Sequence, residues 1–128
     1  LVLVLTLGSL LLTGAAATVA AAVATTVVAA AGQAVGIGTA VSGATIPATG
    51  FAVLTAFFSV LGLVIATALR RFARRPRTAW IRTTVALTVL SFVPDVIADA
   101  TVATKVLLML THVVAAAIVI PAVARRLS

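Results

Sequence analysis

Residues 51–78 read FAVLTAFFSVLGLVIATALRRFARRPRT. Residues 51–69 carry no charge, and five of the next nine residues are arginine. A spanning helix needs roughly 20 consecutive, mainly apolar residues. The stretch therefore reads as a membrane span that ends in a basic segment, the mark of a cytoplasmic boundary.

The composition supports that reading. The 128 residues are 63% hydrophobic and 9% charged, with a mean hydropathy of +1.35. Soluble domains are about 45–50% apolar and about 25% charged, and a chain this small has too little interior to hide the excess. The net charge is +7, which in a soluble protein would suggest a nucleic-acid partner. Here the arginines sit at the ends of apolar runs, so nucleic acid is not expected. The chain has no cysteine, which excludes disulfides, thiolate metal sites and thiol nucleophiles.

Outward from the arginine segment, three more spans follow. Residues 1–31 are uncharged and longer than a span requires. A signal peptide is the rival reading, but signal h-regions run only about 7–15 residues, so a retained helix is expected. Residues 32–50, GQAVGIGTAVSGATIPATG, hold five of the eight glycines. Glycine at this density punctuates a helix, which predicts a flexible apolar outer loop. Re-entry into the membrane, with GIGTA as a backbone-lined filter, is the alternative. Residues 79–97 and 101–124 complete the set. Trp80 is placed as an interfacial aromatic anchor, with Arg82 beside it reaching for the headgroups.

The predicted fold is all-α: a four-helix up-down-up-down integral membrane bundle, one domain over residues 1–128. The arginines fix its orientation. Arg70, Arg71, Arg74, Arg75 and Arg77 lie in the connection 70–78, Arg82 in the adjoining turn, and Arg125 and Arg126 in the tail. With four spans these places share one side. The positive-inside rule makes that side cytoplasmic, with both termini there, in a bacterial plasma membrane. The arginines also attract anionic lipid headgroups, at about 1 kcal/mol each near the surface, though topology alone accounts for their number. In the first span Gly14, Thr18, Ala22, Thr26 and Ala30 recur every four residues. Small residues permit close helix packing in lipid, so this stripe is expected to face protein.

Both acids, Asp95 and Asp99, the only lysine, Lys105, and the only histidine, His112, lie within residues 91–112. Thr84, Thr88, Ser91, Asp95 and Asp99 share one face of the third helix at about 100° per residue, and Thr101, Thr104, Lys105, Thr111 and His112 share one face of the fourth. Such stripes point at each other or at a cavity. With the turn near residue 100 and about 1.5 Å per residue, Asp95 and Lys105 are level, roughly 7 Å below the turn. An Asp95–Lys105 ion pair is predicted. Asp99 falls at the surface. His112 falls roughly 18 Å down on the same rise, level with Thr88, which predicts a His112–Thr88 hydrogen bond. Pro94 should free the carbonyl of Leu90.

The candidate intramembrane polar site is thus Asp95, Lys105, His112, Thr88 and Asp99. A packing histidine is the plain reading of His112. An axial haem ligand is the alternative, with Met109 or another subunit supplying the second ligand; no cofactor is otherwise predicted. A metal ion on Asp95, Asp99 and His112 is disfavoured by the roughly 10 Å depth gap between Asp95 and His112. Ser91 lacks oxyanion donors, and no phosphate loop, dinucleotide fingerprint or metalloprotease motif is present.

Residues 92–127, FVPDVIADATVATKVLLMLTHVVAAAIVIPAVARRL, resemble the end of a family of small actinobacterial membrane proteins defined only as a domain of unknown function. The shared features are the proline near the end of helix three, the polar turn with Thr101 and Thr104, His112 inside helix four and the basic end Arg125–Arg126. The resemblance implies four spans and brings no activity, cofactor or catalytic residue. A non-enzymatic accessory or assembly subunit is expected, acting through helix and lipid contacts with a membrane-protein partner or its own copies. The alternatives are a small transporter or channel with a polar path between helices three and four, and a haem- or quinone-binding redox subunit using His112.

Overall fold

A computed structural model describes residues 2–127; Leu1 and Ser128, at the ends of the predicted chain layout, lie outside the described residues. Among them are four helices long and apolar enough to cross a membrane. These are α1 (Val2–Ala34), α2 (Ala48–Phe72), α3 (Pro76–Ile97) and α4 (Val102–Ala124). Many threonine hydroxyls inside the helices find a local carbonyl. Thr18, Thr25, Thr26, Thr67, Thr84 and Thr88 each donate to the carbonyl four residues back, the local solution that lipid demands of a polar group.

The ends of the helices have identifiable causes. Thr101 caps α4, its hydroxyl accepting from the Thr104 N–H. Pro76 opens α3 where no N–H is needed. Gly36, at φ +90°, closes α1: the Ile37 N–H donates to the Gly32 carbonyl and the Gly36 N–H to the Gln33 carbonyl, the Schellman arrangement. α1 therefore runs past Gly32, the predicted edge of the loop.

The rest of that loop is ordered, contrary to the expectation of a flexible connection. Ala40–Val41 (β1) pairs antiparallel with Ala44–Thr45 (β2). Ser42 and Gly43, at φ 51° and 80°, make the two-residue turn that strand twist favours. Buried Thr39 donates to the Ile46 carbonyl at 2.6 Å, and Gln33 Nε2 donates to Thr39 Oγ1 at 3.1 Å. Thr104 donates to the Gly38 carbonyl at 2.5 Å, and the Ser42 N–H to the Asp99 carbonyl at 2.8 Å. The GIGTA backbone is therefore used to fasten the hairpin over the α3–α4 turn.

α1 packs most extensively on α2 and α4, and α3 lies against α4 with a thinner contact to α2. The face that α1 buries is Leu10, Gly14, Ala17, Ala21, Thr25, Ala29 and Gly32. This corrects the predicted stripe, which shares only Gly14 with it; Ala30 is exposed. A strict four-residue repeat advances about 40° per step beyond a full turn, so it walks off any straight interface. Gly14 meets the Leu63 side chain so closely that a Cβ would collide with it, and a Cβ on Gly32 would lie 2.8 Å from Leu107 Cδ2. Thr25 and Thr55 share a 2.9 Å hydrogen bond between α1 and α2.

One apolar cluster joins Leu10, Ala66, Trp80, Val123, Ala124 and Leu127. Trp80 is 1% exposed, and its Nε1 donates to the Ile120 carbonyl at 3.0 Å. It is a core residue and not the predicted interfacial anchor.

Candidate functional site

The structure brings Asp95 and His112 together. Asp95 Oδ2 lies 2.8 Å from His112 Nδ1, with the carboxylate side chain 10% exposed and the imidazole 39%. The contact departs from the line of a well-directed hydrogen bond, and neither atom has another hydrogen-bond partner. Phe92, one turn before Asp95, stands 6.3 Å from the imidazole between ring centroids.

Both predicted partnerships are corrected by this contact. Lys105 does not reach Asp95; its Nζ donates to the Val96 carbonyl at 2.7 Å, a cation on the last turn of α3 where carbonyls are unpaired. Thr88 does not reach His112; its hydroxyl donates to the Thr84 carbonyl at 2.8 Å. The cause is side-chain direction. Every Cα–Cβ bond on a helix leans toward that helix's N-terminus. On α3 this carries Asp95 away from the turn, and on α4 it carries His112 toward it. Counting residues by rise alone leaves roughly 10 Å between them, and the two leaning side chains close that gap.

Asp99 is exposed and engages the hairpin through its backbone carbonyl. It stays apart from the pair, and no group of three metal-ligating side chains comes together among the described residues. Ser91 donates to the Thr88 carbonyl at 2.5 Å. Along α3 and α4 runs an open apolar groove of about 350 Å³, whose walls include Val85, Val89, Val113 and Pro121 but not His112.

The arginines form the second candidate site, at the opposite end of the bundle. Arg77 Nε donates to the Ala124 carbonyl at 2.8 Å and the Leu127 carbonyl at 2.9 Å, supplying what the end of α4 lacks. Arg126 Nε donates to Thr13 Oγ1 at 3.1 Å, and Arg70 donates to Thr6. Arg71 lies over the Phe72 ring at 5.8 Å. Arg74 and Arg75 form the exposed turn between α2 and α3, Arg82 is exposed on α3, and Arg125 caps α4. Sequence reasoning placed all eight arginines at membrane boundaries. It missed the inward grip of Arg77, since nothing in the spacing marks a residue 50 positions away as its acceptor.

Four long apolar helices, packed on one another, define a small multi-pass membrane protein. The chain belongs to a family of unknown function (DUF6069), whose model matches residues 5–128. No curated protein and no solved structure matches it.

Proposed function

We propose that the chain is an accessory or assembly subunit without catalytic activity, acting in a bacterial plasma membrane through helix and lipid contacts. Its helices run up-down-up-down with both termini on the cytoplasmic, arginine-bearing side, as the positive-inside rule requires. The observation that carries the reading is the presentation of His112. Asp95 lies against Nδ1, and the imidazole is nonetheless 39% exposed on a membrane-spanning helix. A polar nitrogen turned toward acyl chains is costly unless a partner meets it. A second membrane protein or another copy of the chain supplies that partner. Extraction of native membranes in mild detergent tests this: the chain is expected in an assembly with another subunit or with itself, crosslinked through His112→Cys. Recovery of monomer alone, with no crosslink, overturns it.

A small transporter is the second reading. An acid–imidazole pair between two spanning helices, with one member reachable from outside the bundle, supports a proton-coupled path. Unaltered flux in liposomes after Asp95→Asn, Lys105→Met and His112→Gln together sinks that reading. In a redox subunit Nε2 would be the ligating or donating nitrogen, and a colourless preparation without extractable haem or quinone excludes that role.

A further inference from the structure

A shallow cleft of about 250 Å³ lies where α2 turns into α3, lined by Arg74, Arg75, Arg77 and Thr78. Three features distinguish it from a general scatter of positive charge. The first is that one wall is fixed: Arg77 spends its Nε on two carbonyls of the α4 end, which holds its guanidinium in place, with its terminal nitrogens not engaged in either bond. The second is the absence of neutralising charge. Both acids of the chain, Asp95 and Asp99, are at the far end of α3, and the described residues contain no ion pair at the cleft. The third is the neighbouring sequence. Phe72, two residues before Arg74, is 80% exposed, and Ile81, three residues after Thr78, is 40% exposed, so exposed apolar side chains flank the lining residues along the chain, as suits a bilayer edge.

We infer that this cleft seats the headgroup of a phospholipid carrying two negative charges. Arginine's planar fork pairs bidentately with phosphate oxygens, and three such forks around one hollow offer more donors than one phosphodiester has free oxygens. A phosphomonoester, or the two phosphates of a dimeric lipid, uses them. The volume is below the roughly 300–1,000 Å³ of sites for drug-sized ligands, which suits a headgroup whose tails lie outside. The exposed apolar neighbours Phe72 and Ile81 favour a lipid over a free anion, because side chains exposed beside the cleft's segment gain from acyl chains and nothing from inorganic phosphate. The inference rests on the membrane placement of the arginine end, which side-specific labelling of the loops tests separately.

The experiment is a lipid titration of the chain in neutral detergent micelles, with bound lipid counted by native mass spectrometry. Phosphatidic acid and cardiolipin are compared with phosphatidylglycerol at matched total charge. One doubly charged lipid is expected to bind in preference. Arg74→Gln with Arg75→Gln should weaken it about thirty-fold, the factor implied by two arginines at about 1 kcal/mol each. Arg125→Gln with Arg126→Gln removes the same charge outside the cleft and should leave the preference in place. Arg74→Lys with Arg75→Lys keeps the charge and should still lose the preference, because the fork is gone. Equal losses in the two glutamine pairs, or equal retention of all three lipids, overturn the inference. Displacement by inorganic phosphate alone overturns the choice of lipid as the occupant. Whichever doubly charged lipid is retained identifies the headgroup.

Discussion

At the scale of single residues, the Asp95–His112 contact is the clearest coupling in the bundle. Its strength belongs to a double-mutant cycle, because truncating one partner also strands the other. Interhelical polar pairs in membranes average about 0.6 kcal/mol, with a maximum near 1.7. The cycle of Asp95→Ala and His112→Ala, measured by unfolding in micelles, should fall in that range. The cycle of Asp95→Ala and Lys105→Ala should give about zero, since Lys105 holds the Val96 carbonyl instead. The sequence placed Asp95, Lys105, His112 and Thr88 on facing stripes, and that much was readable from a 3.6-residue period. The pairing was not. Depth computed from rise treats each side chain as a point on the axis, and it is the opposite lean of the Cβ atoms on α3 and α4 that selects His112 over Lys105. Trp80 shows the same limit: a tryptophan near a basic boundary suits an interface, but its N–H meets the Ile120 carbonyl of α4, 40 residues away, and its ring is buried in the core.

At the scale of elements, α1 makes the most specific demands. Gly14 and Gly32 are sites of close approach to Leu63 and Leu107. Gly14→Ile and Gly32→Ile should each cost about 1–3 kcal/mol, as overpacking does, while Gly8→Ile, which meets open space, should leave the unfolding midpoint unchanged. The end of the helix depends on backbone conformation. Gly36→Val forces a β-branched residue to φ +90° and should cost about 1–2 kcal/mol, read as fraying of residues 32–37 by hydrogen exchange. That a helix is present in this region was plain from 31 uncharged residues. Its buried face was misread, because the eye follows repeated small residues at a fixed spacing and the interface follows 3.6. The hairpin was hidden for a different reason. Its strands are two residues each, and their stability comes from Thr39, Thr104 and the Asp99 carbonyl, contacts that cross the fold.

At the scale of the whole molecule, the two ends of the bundle differ in chemistry. One end carries arginines that clasp helix termini; the other carries the hairpin, Asp99 and Lys105. Orientation is testable without knowing the activity. Cysteines placed at Gly43 and Ala73 should react with impermeant reagent from opposite sides of intact cells, Gly43 from outside. Labelling of both from one side would overturn the four-span arrangement. The membrane class and the four spans were legible because lipid imposes length and composition rules that a sequence displays directly. The contacts that close the bundle were not, because they join residues far apart in the chain.

One such contact has a consequence for how the protein is made. Thr13 meets Arg126, and Gly32 of α1 meets Leu107 of α4. The hydrogen-bonded pair is 113 residues apart. At translation rates of about 5–20 residues per second, α1 waits on the order of 6–23 s for its last neighbour. During that interval its groove of glycine and alanine is open within the bilayer. Another nascent helix, or an insertion chaperone, has first access to the surface that α4 later covers.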